Sequence, residues 1–307
     1  TLKDDKEPGS GSLKAEGGVW SAGIGGSDGN GTNNITITGG TVNAIGGHQG
    51  AGIGGGNGGT GEHITITGGT VDATGGSQAA GIGGGSWKKG NDITITGGTV
   101  NATGGNQGAG IGGGADAGGE KITISGGTVD AKGGDVDGQG GGSGIGGGAY
   151  GAGNDIAITG GTTTATGGIA GAAIGGGFGS YNSGNIAVSG GAQVTVVSKY
   201  GHDQWGNEYV FGATIGDGAH GWPEEDDDGR TIYPDAKEKQ ANISGLTTGY
   251  IRHKSFDKYG SPMEWWTFGT PGVSGSDPDY GFNVDALKGT PQPTLDLHVE
   301  TLEGVPL

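Results

Sequence analysis

The chain has no cysteine, so neither a disulfide framework nor a thiolate metal site is open to it. Apolar residues never run long enough to span a bilayer as a helix, and no membrane span is expected. Basic residues are scarce: 15 Lys and Arg stand against 32 Asp and Glu, a net charge of -17. Proteins that hold a phosphate backbone cluster Lys and Arg, so nucleic acid is not an expected partner. The six histidines show no pair at ligand spacing on a helix or strand, which argues against zinc. Helical periodicity is missing as well. The G-x-G-x-x-G strings scattered through the chain therefore lack the strand–turn–helix setting of a dinucleotide site. No Gly-X-Y triplet recurs, which excludes collagen.

What is abundant is glycine, 83 of 307 residues, and it is arranged on a long beat. The isoleucine that opens each I-T-I-T segment recurs at Ile35, Ile64, Ile93, Ile122, Ile156 and Ile186, with spacings of 29, 29, 29, 34 and 30 residues. A second series, Ile24, Ile53, Ile82, Ile111, Ile145, Ile174 and Ile215, keeps the same time in G-I-G-G-G segments. Fixed-period self-similarity of this length marks a solenoid, whose units bury apolar faces only against their neighbours.

Each unit carries three short candidate strands. In I-T-I-T the isoleucines face one way and the threonines the other; in T-V-N-A-T, Val and Ala share the inner face; the third, G-I-G, offers one Ile. Paired glycines between them supply tight corners. Three strands and three corners in about 29 residues predict one coil of a parallel β-helix, with strands stacked about 4.8 Å apart and right-handed crossovers. A propeller blade would need a longer repeat of four strands. The expected fold is thus all-β, a right-handed parallel β-helix over residues 18–220, with an N-terminal extension (1–17) and an irregular C-terminal cap (221–307) where the repeat is lost.

The G-G-T-V-x-A-T-G-G-x-x-G-A-G-I-G-G-G repeat resembles those of glycine-rich secreted and surface proteins of bacteria, and the architecture resembles the pectate-lyase-like β-helix superfamily. That resemblance implies a secreted or cell-surface protein that meets polysaccharide or glycan. It carries over no catalytic residue, because no catalytic motif of the superfamily matches here. The polar N-terminus is read as following a removed signal segment or as lying inside a longer protein, and the uncapped end it leaves offers a surface for self-association.

Function on a regular scaffold is expected where regularity fails. The corner between second and third strands lengthens twice: in the coil opened by Ile122, which adds Asp135 and Asp137, and in the coil opened by Ile186, which adds Tyr200, His202, Asp203, Trp205, Glu208 and Tyr209. The coil between keeps its short corner, which predicts a recess about 10 Å wide, two strand spacings, floored near Ile169 and Ala170. The corner after the third strand collects Trp87, Tyr150, Phe178 with Tyr181, and His220 with Trp222, an interrupted aromatic strip suited to sugar faces. In T-I-G-D-G, Asp217 stands where other coils have glycine. With Asp203 it forms a candidate carboxylate pair for glycoside hydrolysis, assisted by His202, with an Asx-turn role as the alternative. Basic residues near the insertions are few, so hydrolysis is preferred to elimination. Trp205, Trp222, Tyr200, Asp135, Asp137 and Tyr181 are the candidate sugar contacts. The acidic run Glu224–Asp228, with Asp226, Asp227 and Asp228, has the hard oxygen donors Ca2+ takes, although no cofactor is required. Two other roles compete: a noncatalytic adhesin, spacer or filament subunit, and ice binding by the outward array Thr36/Thr38, Thr65/Thr67 and Thr94/Thr96.

Overall fold

The computed structural model describes residues 11–135, 140–201, 210–219, 224–225, 231–232, 241–256 and 262–268. The chain divides into Thr1–Gly275 and Ser276–Leu307, and every described residue lies in the first unit. The described residues are all-β, and none lies in a helix.

Three parallel sheets run the length of the solenoid, one per predicted strand. Sheet 1 stacks Ile35–Ile37, Gly61–Ile66, Gly90–Ile95, Gly119–Ile124, Gly153–Ile158 and Ile186–Val188. Sheet 2 stacks Ser12–Glu16, Thr41–Ile45, Thr70–Thr74, Thr99–Thr103, Thr128–Lys132, Thr162–Ile169, Gln193–Gly201 and Tyr250–Phe256. Sheet 3 is built from two-residue strands, Ile24–Gly25, Ile53–Gly54, Ile82–Gly83, Ile111–Gly112, Ile145–Gly146, Ile174–Gly175 and Ile215–Gly216. Register follows the repeat: Ile64 pairs Ile93, Val71 pairs Val100, and Ile82 pairs Ile111.

Alternation within each strand decides what is inside. Ile64, Ile66, Ile93, Ile95, Ile122 and Ile124 from sheet 1, Val71, Val100 and Val129 from sheet 2, and Ile53, Ile82, Ile111 and Ile145 from sheet 3 are fully or almost fully buried and form one continuous core. Each fully buried aliphatic side chain contributes roughly 1.5–3 kcal/mol. One column breaks the rule. Thr163 replaces valine between Val129 and Val194, and its Oγ1 is buried without a hydrogen-bond partner.

Outward columns alternate in charge from coil to coil. In sheet 1, Glu62, Asn91, Glu120 and Asn154 are successive partners. In sheet 2 the series is Asn43, Asp72, Asn101 and Asp130, and Asn101 Nδ2 donates to Asp72 Oδ1 at 2.6 Å. Carboxylates are thereby kept two strand spacings apart, about 10 Å, near the Debye length of physiological salt.

Two expected boundaries shift. Ser12–Glu16 already pairs with Thr41–Ile45, so residues 12–16 are the first rung of sheet 2 and not an extension. At the other end the solenoid continues past residue 220: Asn242 and Leu246 bridge to Ala187 and Gly190, and Tyr250–Phe256 stacks in parallel on Gln193–Val197. Pro262–Phe268 then returns antiparallel to that last rung. Arg252 Nε binds Glu264 Oε1 at 2.7 Å and lies 5.1 Å from the Trp266 ring centre. The last coil also carries polar groups inward: His253 falls in the column of Val196 and is buried, with Thr214 Oγ1 2.8 Å from its Nδ1.

Candidate functional site

The side of the solenoid around sheet 3 is built almost wholly from turns. Gly25, Gly54, Gly83, Gly112, Gly146, Gly175 and Gly216 all have φ between 130° and 139°, a region nearly closed to residues with a Cβ. After each of the first six, the chain makes a four-residue turn. Bonds such as Gly59 N to Gly56 O, Lys88 N to Gly85 O, Ala117 N to Gly114 O and Gly151 N to Gly148 O close these turns. Their third residue has positive φ, as a type II turn requires. That position reads Gly29, Gly58, Trp87, Asp116, Tyr150 and Gly179 down the solenoid, with φ of 72°, 66°, 62°, 60°, 63° and 70°.

Glycine fills this position without strain, yet three successive coils place Trp, Asp and Tyr there. Other non-glycine residues in the chain also have positive φ, among them His63, Asp92 and Lys121. Trp87 and Tyr150 differ from these in carrying large aromatic rings, and they are 50% and 54% exposed. A bulky side chain in the left-handed region costs about 1–2 kcal/mol. The Tyr150 ring extends over Gly179 of the next coil, where a Cβ would collide with it, and meets Phe178 edge-on with ring centres 5.5 Å apart.

A second ridge of turns, between sheets 2 and 3, lies against the first. Ser86 N donates to Gln49 O, Ala115 N to Gln78 O and Ala149 N to Gln107 O, so the two ridges are joined by backbone hydrogen bonds. In the seam Gln49 Nε2 donates to Gln78 Oε1 at 3.1 Å, and Gln78 Nε2 to Gln107 Oε1 at 3.4 Å. One amide per coil thus lies beside the aromatic ridge. Trp20, 41% exposed, occupies the place of Gln49 one coil earlier and packs edge-on against His48. Asp116, Trp20 and this ladder were missed in the sequence, although the recurrence of Gln49, Gln78 and Gln107 at 29-residue intervals was visible there.

Of the sequence-predicted strip, Trp87, Tyr150 and Tyr181 are exposed, whereas Phe178 packs against Ile169, Ala170 and Ala219. Ile169 and Ala170, the expected floor of a recess, are buried. Asp135 Oδ1 accepts the Ile169 N–H at 2.8 Å, Gly141 N donates to Ile169 O, and Asp135 Oδ2 pairs with Lys199 Nζ at 2.5 Å, so this carboxylate spans the intervening coil. Asp135 and Gly141 thereby pair both peptide groups of Ile169 in the short-cornered coil. Asp135, expected as a sugar contact, is thus engaged in holding the two insertions together.

Asp217 is 4% exposed, and its Oδ1 accepts the Ser183 N–H at 2.7 Å. The corner holding Ser183 is one residue longer than its predecessors, and Asp217 is placed to bind the peptide group that this extra length diverts from the ladder. This role is structural, but it is a bond between coils and not the local Asx turn weighed as the alternative to catalysis. Its expected partner Asp203 lies outside the described residues, as do His202, Trp205, Asp137, Trp222, Asp226, Asp227 and Asp228; Tyr200 is placed only as part of the strand Gln193–Gly201. Among the described residues, no three His, Asp or Glu side chains gather as a metal site would require.

The stacked coils and their turn ridges define a right-handed parallel β-helix repeat protein. A family model of the beta helix repeat matches six stretches, residues 9–28, 35–57, 64–86, 93–115, 122–149 and 156–178. No curated protein and no solved structure matches the chain significantly.

Proposed function

We propose that this protein binds polysaccharide outside the cell or at its surface, along the turn ridge that carries Trp87, Asp116 and Tyr150. The observation that carries this is the ridge position itself: where glycine would cost nothing, two large exposed aromatic rings are held at positive φ. Strain accepted at an exposed site calls for a return, and flat amphipathic rings stack on the C–H faces of sugars. Exposed aromatics on a rigid ladder bind with little ordering entropy, which suits a module that holds a glycan without reacting with it. The hydrolase reading has less support, because the Asp217 carboxylate is buried and occupied by Ser183.

The test replaces Trp87 and Tyr150 by glycine, the residue found at the same turn position in three other coils. Depletion of the protein by insoluble plant, fungal and bacterial polysaccharides is then measured, with far-ultraviolet circular dichroism as the control for folding. Each replacement is expected to weaken binding by about tenfold, the scale of one aromatic contact. A wild-type protein retained by no polysaccharide, or glycine variants retained as well as it is, would refute the proposal.

A further inference from the structure

Resting on that reading, the geometry points to one substrate class: an extended, neutral β-1,4-linked glycan lying parallel to the solenoid axis, with alternate rings seated on Trp87 and Tyr150. The two side chains occupy the same turn position two coils apart, with Asp116 between. Two strand spacings are about 10 Å, close to the disaccharide repeat of a flat β-1,4 chain. Such a chain has a two-fold screw and turns the same face to one side only at every second ring. An aromatic on every second coil is the complement of that symmetry.

Curved α-1,4 chains and helical β-1,3 chains do not hold their rings in line with a straight ladder over several coils. The flanking chemistry narrows the class further. Asp116 is exposed between the two rings, and of the two exposed lysines that follow Trp87, Lys89 is paired with Glu120, so the ridge offers a uronate polymer no surplus of positive charge while neutral hydroxyls find a carboxylate acceptor. The part-buried Gln49–Gln78–Gln107 ladder repeats once per coil, which is the pitch of single sugar rings along the same line.

Titration calorimetry of the full chain with cellohexaose, chitohexaose, mannohexaose, maltohexaose, laminarihexaose and polygalacturonate tests the inference. At least one of the three neutral β-1,4 hexaoses is expected to bind, with affinity rising at least about tenfold from its disaccharide to its tetrasaccharide as the second ring platform is reached. The paired variant Trp87→Asp/Asp116→Trp moves one ring by a single coil at a position already at positive φ. It should lose that length-dependent gain while circular dichroism and melting stay unchanged. Binding confined to maltohexaose, laminarihexaose or polygalacturonate overturns the inference but leaves glycan binding standing. Retention of the gain in the paired variant overturns the two-coil spacing alone. Binding to none of the six overturns this inference, and glycan binding falls with it only when the insoluble polysaccharides also fail to retain the protein.

Discussion

Gly112→Ala is expected to be among the most damaging single substitutions in the coils, and Gly58→Ala among the mildest, although both residues are glycines with positive φ, one in a sheet 3 strand and one in the turn ridge. At Gly112, φ is 134°, and a Cβ there would fall well inside contact distance of the Gly146 carbonyl oxygen on the next coil. That carbonyl already accepts the Gly113 N–H at 2.9 Å, so relief by moving it breaks a rung of the ladder. Strain of about 2 kcal/mol at a φ nearly restricted to glycine, with about 1–3 kcal/mol for a buried peptide group left unpaired, gives a loss of about 3–5 kcal/mol. Gly58 has φ of 66°, and a Cβ would meet nothing within 4 Å, which leaves only the cost of the left-handed conformation, about 1 kcal/mol. Urea unfolding followed by tryptophan fluorescence compares the two. If Gly112→Ala and Gly58→Ala shift the midpoint equally, close backbone approach between coils is not what requires glycine in sheet 3.

Thr163→Val should stabilise the protein by about 1–2 kcal/mol, because it removes a buried hydroxyl that has no partner and restores the valine column; a lower melting temperature would refute this. Burial lowers the His253 pKa from 6.5 to about 4. The unfolded chain therefore binds its proton first: the stability contributed by neutral His253 is complete above pH 6.5, falls between 6.5 and about 4, and levels off below, a total of about 3 kcal/mol. Urea midpoints across that window should fall less steeply in His253→Val, and identical profiles would refute the assignment. Asn101→Asp would place a carboxylate between those of Asp72 and Asp130, giving three on successive coils, and would remove the 2.6 Å amide bond. It should cost about 1 kcal/mol at low salt, much of it regained in 1 M NaCl, and a loss indifferent to salt would argue against a charge origin.

The solenoid was legible in the sequence because each core column is an isoleucine, valine or alanine returning at one period, as Ile64, Ile93 and Ile122 do. The glycine corners were legible for the same reason. Hidden were features that depend on which peptide groups lack partners once the coils are stacked. Asp135 reaching over to Ile169 and Lys199 answers such a need, and so does Asp217 with Ser183. The last coil was hidden because its inner residues Ile251 and His253 replace the repeated Val and Ala, and its strand carries no glycine signature. The aromatic strip was visible as residue types at one corner. That Trp87 and Tyr150 take a glycine conformation, while Phe178 next door turns inward, depends on the turn geometry.

The third turn position has a consequence for how such a chain acquires new specificity. Its backbone is held by neighbours on both sides and its side chain is directed away from the core, so the position reads Gly29, Gly58, Trp87, Asp116, Tyr150 and Gly179 from coil to coil while the Ile columns beneath hardly vary. The ridge is in effect a line of text written at one letter per coil. Exchange of whole coils by unequal recombination would edit that text, moving, duplicating or deleting a ring in steps of one strand spacing without touching the core.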